Sequence, residues 1–211
     1  MSQKTPSPTL GFQTGAETNV NRAIKGLVDA LNTYITLGIT FYGQAQHRLD
    51  NEGRLYPGLY QTNTKDYINA IANDQWNGYG FIDVEDPLRY TAPDTEESIS
   101  AFRYSFIEQD IAIVVYGDIQ KLLFDASSSS TDWRYTVQTV QDEIVEILSR
   151  KIPQVKGFFN LQTVYSQRVA DLFKTYTIED YGEYIYLPKF GFRFEGVLTV
   201  TEQCTYVAPQ V

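Results

Sequence analysis

His47 is the only histidine among the 211 residues, so a Ser-His-Asp or Cys-His system could use no other imidazole base. No recognisable nucleophile motif stands near it, and a strand running into a polar turn suits an ordinary polar side chain as well. Asp83, Glu85 and Asp86 offer the oxygen ligands that a hard cation prefers, but they lack the glycine and terminal glutamate spacing of an EF-hand. Glu179, Asp180 and Glu183 carry the same donors and read better as a solvated acidic turn. A carboxylate pair for glycoside hydrolysis requires two acids to meet in space, and 26 Asp and Glu in one sequence locate no such pair. Gly78-Tyr79-Gly80 lacks the third glycine of a dinucleotide fingerprint, and no phosphate-cradling Gly-x-x-x-x-Gly-Lys-Ser/Thr loop occurs. Trp76, Trp133 and the tyrosines could stack on sugar rings, as in a carbohydrate- or receptor-binding module, or serve as core and interface residues. No catalytic, cofactor-binding or metal-binding site is assigned from these patterns, and the expectation is a protein that is not an enzyme.

The totals narrow the partners. With 26 Asp and Glu against 17 Lys and Arg, the formal charge of -9 disfavours stable binding of nucleic acid, which rests on clustered cations. An acidic surface would instead repel a phosphate backbone and let DNA slide past, although solubility alone accounts for the same charge. The 16 Tyr and 12 Phe suit strands or interfaces. Cys204 is the single cysteine, so no intrachain disulfide, paired-cysteine zinc site or two-cysteine redox motif can form. The first residues lack the apolar core of a signal peptide and no apolar run has the length of a membrane span, which leads to an expectation of assembly in a cytoplasm without membrane contact.

The elements that would position these residues follow from periodicity. Residues 1–18 read as a flexible arm, 19–204 as one α+β domain, and 205–211 as a short second arm. Val20, Ile24, Leu27, Val28, Leu31 and Tyr34 predict a first helix, and Ile39–Ala45 a strand before the Asp50-Asn51-Glu52-Gly53 turn. Pro57 assigns the run Leu55–Tyr60 to an edge or a bulge. A long irregular insertion is expected over about 61–100, with Tyr67, Ile68 and Ile71 on a short helix. Phe102, Tyr104 and Phe106 alternate as a strand, Glu108-Gln109-Asp110 interrupt, and Ile111–Tyr116 form a buried central strand. Val137, Val140, Ile144, Ile147 and Lys151 predict a second long helix, and Leu161, Val164, Tyr165, Val169, Leu172, Phe173 and Tyr176 a third. Tyr184–Leu187 and Phe190–Thr201 read as strands, the latter with a bulge at Glu195-Gly196. The fold class is therefore α+β, a mostly antiparallel sheet with amphipathic helices on one face.

The order of these elements resembles that of the tail-terminator and neck-ring (head-tail connector) proteins of tailed bacteriophages. The residues that carry the resemblance are the helix Val20–Tyr34, the strand Ile39–Ala45, the strand Ile111–Tyr116 feeding the helix Val137–Leu148, and the closing strand Phe192–Val200. The resemblance implies a virion structural protein made in the host bacterial cytoplasm. It would form a homo-oligomeric ring at the neck or upper tail, join head to tail against portal-side ring proteins and tail tube or hub proteins, and leave a channel through which DNA passes transiently. The insertion at about 61–100 and the third helix exceed the minimal pattern of that family.

Overall fold

The computed structural model describes residues 19–61, 65–72, 76–85, 89–91, 104–123, 130–150, 157–166, 168–178 and 184–203. The elements are α1 (Asn19–Tyr34), β1 (Thr40–Gln44), β2 (Gln46–Leu49), β3 (Leu55–Gln61), β4 (Asp66–Asn69), β5 (Gly78–Val84), β6 (Arg89–Thr91), β7 (Tyr104–Asp118), α2 (Ile119–Leu123), α3 (Ser130–Leu148), β8 (Gly157–Tyr165), α4 (Val169–Leu172) and β9 (Lys189–Gln203). They form an α+β fold dominated by strands, in two open sheets. The larger runs β1-β5-β7-β9-β8, with β6 also on β7, and the smaller runs β2-β3-β4. All pairs are antiparallel except β1 with β5.

The long pair of β7 and β9 is the spine, in continuous register from Asp118 opposite Lys189 to Tyr104 opposite Gln203. Period-2 alternation along β9 divides the interior. Phe190, Phe192 and Phe194 meet α1, α2 and α3 in one apolar layer, joined by Ile24, Leu27, Leu31, Ile113, Ile144 and Leu198. On the opposite face Tyr79, Phe81, Val114 and Tyr116 pack against Leu172, Phe173 and Tyr176 and, through Leu59, against the small sheet. The sheet is thus covered twice, which is why its central strands read as unbroken apolar runs.

α1 buries Val20, Ala23, Ile24, Leu27, Val28 and Leu31, an apolar stripe at three- and four-residue steps. Its C-terminal end is fixed to β1 by one side chain. Asn32 accepts from the Phe41 amide at 2.8 Å and donates to the Phe41 carbonyl at 2.9 Å, standing in for a neighbouring strand. Asn32→Ala leaves both backbone groups unpaired, and about 1 kcal/mol of stability should be lost, seen as a fall of roughly 2–4 °C in the thermal midpoint.

Several expectations are corrected. The expected third helix over Leu161–Tyr176 is replaced by the second half of the strand β8, up to Tyr165, and the single turn α4. A bulge between Leu161 and Thr163 explains the confusion: the extra residue makes inward positions fall at Phe159, Leu161 and Val164, and a three-residue step imitates a helix. That bulge lies on β8, opposite Glu195-Gly196; β9 itself runs without a shift against β7. Tyr67 and Ile68 lie on the strand β4. Gln109 does not interrupt β7, because its buried amide donates to the Glu85 carbonyl and keeps the strand satisfied. The strand β3 is the centre of its sheet, not an edge, although it contains Pro57; the Pro57 carbonyl accepts from the Ala70 amide at 3.0 Å. Of Tyr184–Leu187 only Tyr184 makes an isolated bridge, to Arg168. The expected insertion holds β4, β5 and β6, and β5 is a core strand that meets both apolar layers. Both of its glycines are required by packing: a Cβ on Gly80 would strike the Phe41 ring at 2.5 Å, and one on Gly78 would crowd Leu122. Helices α1, α2 and α3 share one face as expected, whereas α4 packs on the other. The two expected arms lie outside the described residues.

Candidate functional site

Four of the polar residues singled out by sequence or strand position converge on the face opposite the long helices. Asp83 on β5 and Glu85 just past its end extend the line of Tyr79 and Phe81, and Arg193 and Glu195 alternate with the phenylalanines of β9. Arg193 is completely buried. Its Nη1 donates to Asp83 Oδ2 at 3.1 Å and to the Leu172 carbonyl at 3.1 Å, its Nη2 to Glu85 Oε1 at 2.6 Å, and its Nε to Glu195 Oε1 at 2.5 Å. Lys174 adds a second cation on Glu195 at 2.6 Å.

Asp83 is equally buried and accepts from every side. Besides Arg193, the Thr175 hydroxyl donates to it at 2.5 Å and the Tyr176 hydroxyl at 2.7 Å, while His47 Nε2 lies 2.9 Å from its Oδ1. Burial pushes the Asp83 carboxyl up, but Arg193 and these hydrogen bonds outweigh it and hold the group below the ordinary carboxylate range. Burial also raises the Tyr176 phenol, and the Asp83 charge raises it further, so the hydroxyl remains a donor. For Arg193 burial works against the charge, and Asp83 and Glu195 more than restore it. No buried side-chain polar atom among the described residues is left without a partner.

The cluster therefore ties β5, β9, β2 and the segment after α4 together around one guanidinium. The candidate cation site is occupied by that guanidinium: Asp83 and Glu85 face Arg193, Asp86 lies outside the described residues, and no metal-holding group of acids, His or Cys occurs among the described residues. Glu179, Asp180, Glu183 and Cys204 also lie outside them. His47 stands on β2 against Asp83 with its ring edge-on to Tyr176, and the hydroxyls beside it, Thr175 and Tyr176, are already committed to Asp83. Among the described residues, then, the hydroxyls beside His47 serve Asp83.

A pH dependence follows. A carboxylate whose folded pKa lies below its unfolded value stabilises the fold above the unfolded value, near 4, and loses that contribution as pH falls through the lower folded value. Asp83 and Glu195 are both held down, the latter by Lys174 and Arg193 against the raising effect of burial. The thermal midpoint should thus be flat from neutral pH to about 5 and fall steeply below about 4, and Asp83→Asn should shallow that fall.

Comparison with protein-family models finds no family whose model matches this chain, and a search of curated proteins finds no matching sequence. Trp76 is buried between Tyr42 and Tyr79 and is no open stacking platform, and Trp133 is half-buried against the helix-side core. The exposed large apolar side chains are Tyr34, Leu49, Phe158, Tyr184 and Tyr186 among the described residues. Tyr184 and Tyr186 neighbour each other with Arg168 over the first ring. A groove of about 360 Å³ beside them, between α3 and the start of β9, is lined by Arg134, Gln138, Gln141, Ser166 and Lys189, with no acid or imidazole among the described residues of its lining. Phe158 stands on β8, which pairs only with β9 among the described residues.

The Arg193 cluster was not recognised from sequence. Its signal was present, since Phe190-Gly191-Phe192-Arg193-Phe194 and Phe81-Ile82-Asp83 each place a charge of opposite sign at an inward position of an apolar strand. Two such charges in strands that share a sheet must find each other.

Proposed function

We propose that this chain is a structural subunit that assembles into a homo-oligomeric ring in the neck or upper tail of a tailed bacteriophage, joining head to tail and leaving a channel for DNA. The observation that carries the reading is an open sheet that ends on two different strands, β1 and β8. A ring requires head-to-tail contact between two unlike surfaces of each subunit, and the β8 end of such a sheet supplies one of them, whereas at the β1 end the Phe41 backbone is already paired with Asn32. The order α1, β1, then β7 leading through α2 into α3, and β9 as closing strand, is the order that carries the resemblance to tail-terminator and neck-ring proteins. A net charge of -9 suits a channel that DNA crosses without adhering. The Arg193 cluster serves here as an internal brace, and neighbouring neck rings and the tail tube or hub are the implied partners.

The test is the mass of the purified chain in solution by light scattering, with negative-stain imaging of the eluted species. A discrete ring with a central hole is expected. A species of 24.1 kDa that stays single at high concentration, alone and with neighbouring neck proteins, would overturn the proposal.

A further inference from the structure

The strand β8 is an unusual sheet edge. Its nine residues, Gly157–Tyr165, contain no Asp, Glu, Lys, Arg or Pro, although a fifth of the chain is charged. Natural edge strands normally carry such residues to prevent pairing with another chain. Here the blunting is confined to the C-terminal half, where the bulge at Leu161/Thr163 breaks the ladder and Lys174 lies over the Tyr165 ring. The half Gly157–Leu161 is regular. Within it Gly157 and Phe159 turn to the core, and Phe158 and Asn160 are exposed, Phe158 by 52%.

What would cover it is indicated by charge and by where the fold begins. Two copies of a chain bearing -9 each repel one another, and a contact through uncharged segments adds nothing to that repulsion. Residues 5–16, Thr-Pro-Ser-Pro-Thr-Leu-Gly-Phe-Gln-Thr-Gly-Ala, are twelve consecutive residues without a charge. They precede α1, which packs on both β1, where Asn32 pins its C-terminal end, and β9, the strand that pairs with β8. Eighteen residues precede Asn19, enough to reach roughly 60 Å when extended.

We infer that residues Thr9–Thr14 of a second copy of this chain add as a strand to the edge of β8 that is unpaired among the described residues, with Leu10 and Phe12 on the face that carries Phe158. Backbone hydrogen bonds to Gly157–Leu161 supply affinity, and the alternate side chains supply register, as in other cases of strand addition. The inference rests on the ring reading and deepens it by naming the contact between subunits.

Four full-chain variants test it by light scattering beside the unaltered protein: deletion of residues 2–16, Phe158→Lys with Asn160→Lys, deletion of residues 205–211, and Phe12→Cys with Asn160→Cys in a Cys204→Ser background. The first two should reduce the oligomer to the 24.1 kDa species or close to it, with thermal melts that show a retained fold. Deletion of 205–211 should leave the mass unchanged, and the cysteine pair should join different chains on oxidation. An oligomer that survives deletion of 2–16 or the two lysines overturns the inference and leaves the ring reading standing, as does loss of mass only on deletion of 205–211. A disulfide within one chain overturns exchange between copies. If the unaltered chain is single under every condition, the ring reading falls and this inference with it.

Discussion

Replacing Arg193 with methionine should cost about 3–5 kcal/mol, the range for breaking a buried ion pair from one side. The side chain that remains is of comparable length and apolar, so the loss is not mainly one of volume. It comes from Asp83, which is completely buried and keeps its charge because Arg193 is 3.1 Å away. Without the guanidinium, Asp83 retains only the neutral donors Thr175 and Tyr176 and the imidazole of His47. The Leu172 carbonyl loses its Arg193 donor as well. For a domain of this size such a loss is a fall of roughly 6–20 °C in the thermal midpoint. Arg193→Lys should fall between the two, because one ammonium cannot present the planar fork that serves Asp83, Glu85 and Glu195 at once. Combining Arg193→Met with Asp83→Asn should recover part of the loss, since the stranded charge is gone; if the double variant is less stable than Arg193→Met alone, the cost does not arise from Asp83. Urea unfolding followed by circular dichroism measures all of these.

Gly196→Ala should cost about 3 kcal/mol, the upper part of the usual range for forcing a methyl group into a packed site. A Cβ there would fall on the Asn160 carbonyl oxygen of β8, and 2.7 Å from the far end of the Phe159 ring. The ring can turn, but the carbonyl belongs to a strand already held in register. Gly191→Ala offers the contrast, because its Cβ would meet chiefly the Leu172 side chain, which can move. The damage at Gly196 should be local. Amide exchange should accelerate along Gly157–Tyr165 while the β5–β7 amides stay protected; uniform acceleration through the sheet would show that β8 is not a separable edge.

Much of this fold was legible from periodicity, and the failures have physical causes. The α1 stripe matches Asn19–Tyr34 because one face of that helix is buried and the other solvated. The run Ile111–Tyr116 reads as a buried strand because both faces of β7 are covered there. β5 was hidden for a related reason: seven residues with two glycines and an aspartate show no alternation, since each faces one apolar layer or the other. In β8 the bulge converted a period of two into a step of three. The Arg193 cluster required residues 110 apart in sequence, on the two strands that flank β7, to meet across it, and periodicity within a segment carries no such pairing information. Trp76 could be read as exposed or buried from sequence, and its contacts with Tyr42 and Tyr79 decide for burial.

The position of β9 in the sheet has a bearing on how the chain is made. β9 is the last of the described strands to leave the ribosome, yet it lies between β7 and β8 and supplies half of the Arg193 cluster. Until Lys189 and the residues after it emerge, β8 has no partner strand in the larger sheet, and Asp83 has no guanidinium. Nascent chains stopped before this point hold two unpaired edges and an unneutralised acid, a state prone to capture by other chains. The larger sheet is thus complete only when the last of the described strands takes its place between β7 and β8.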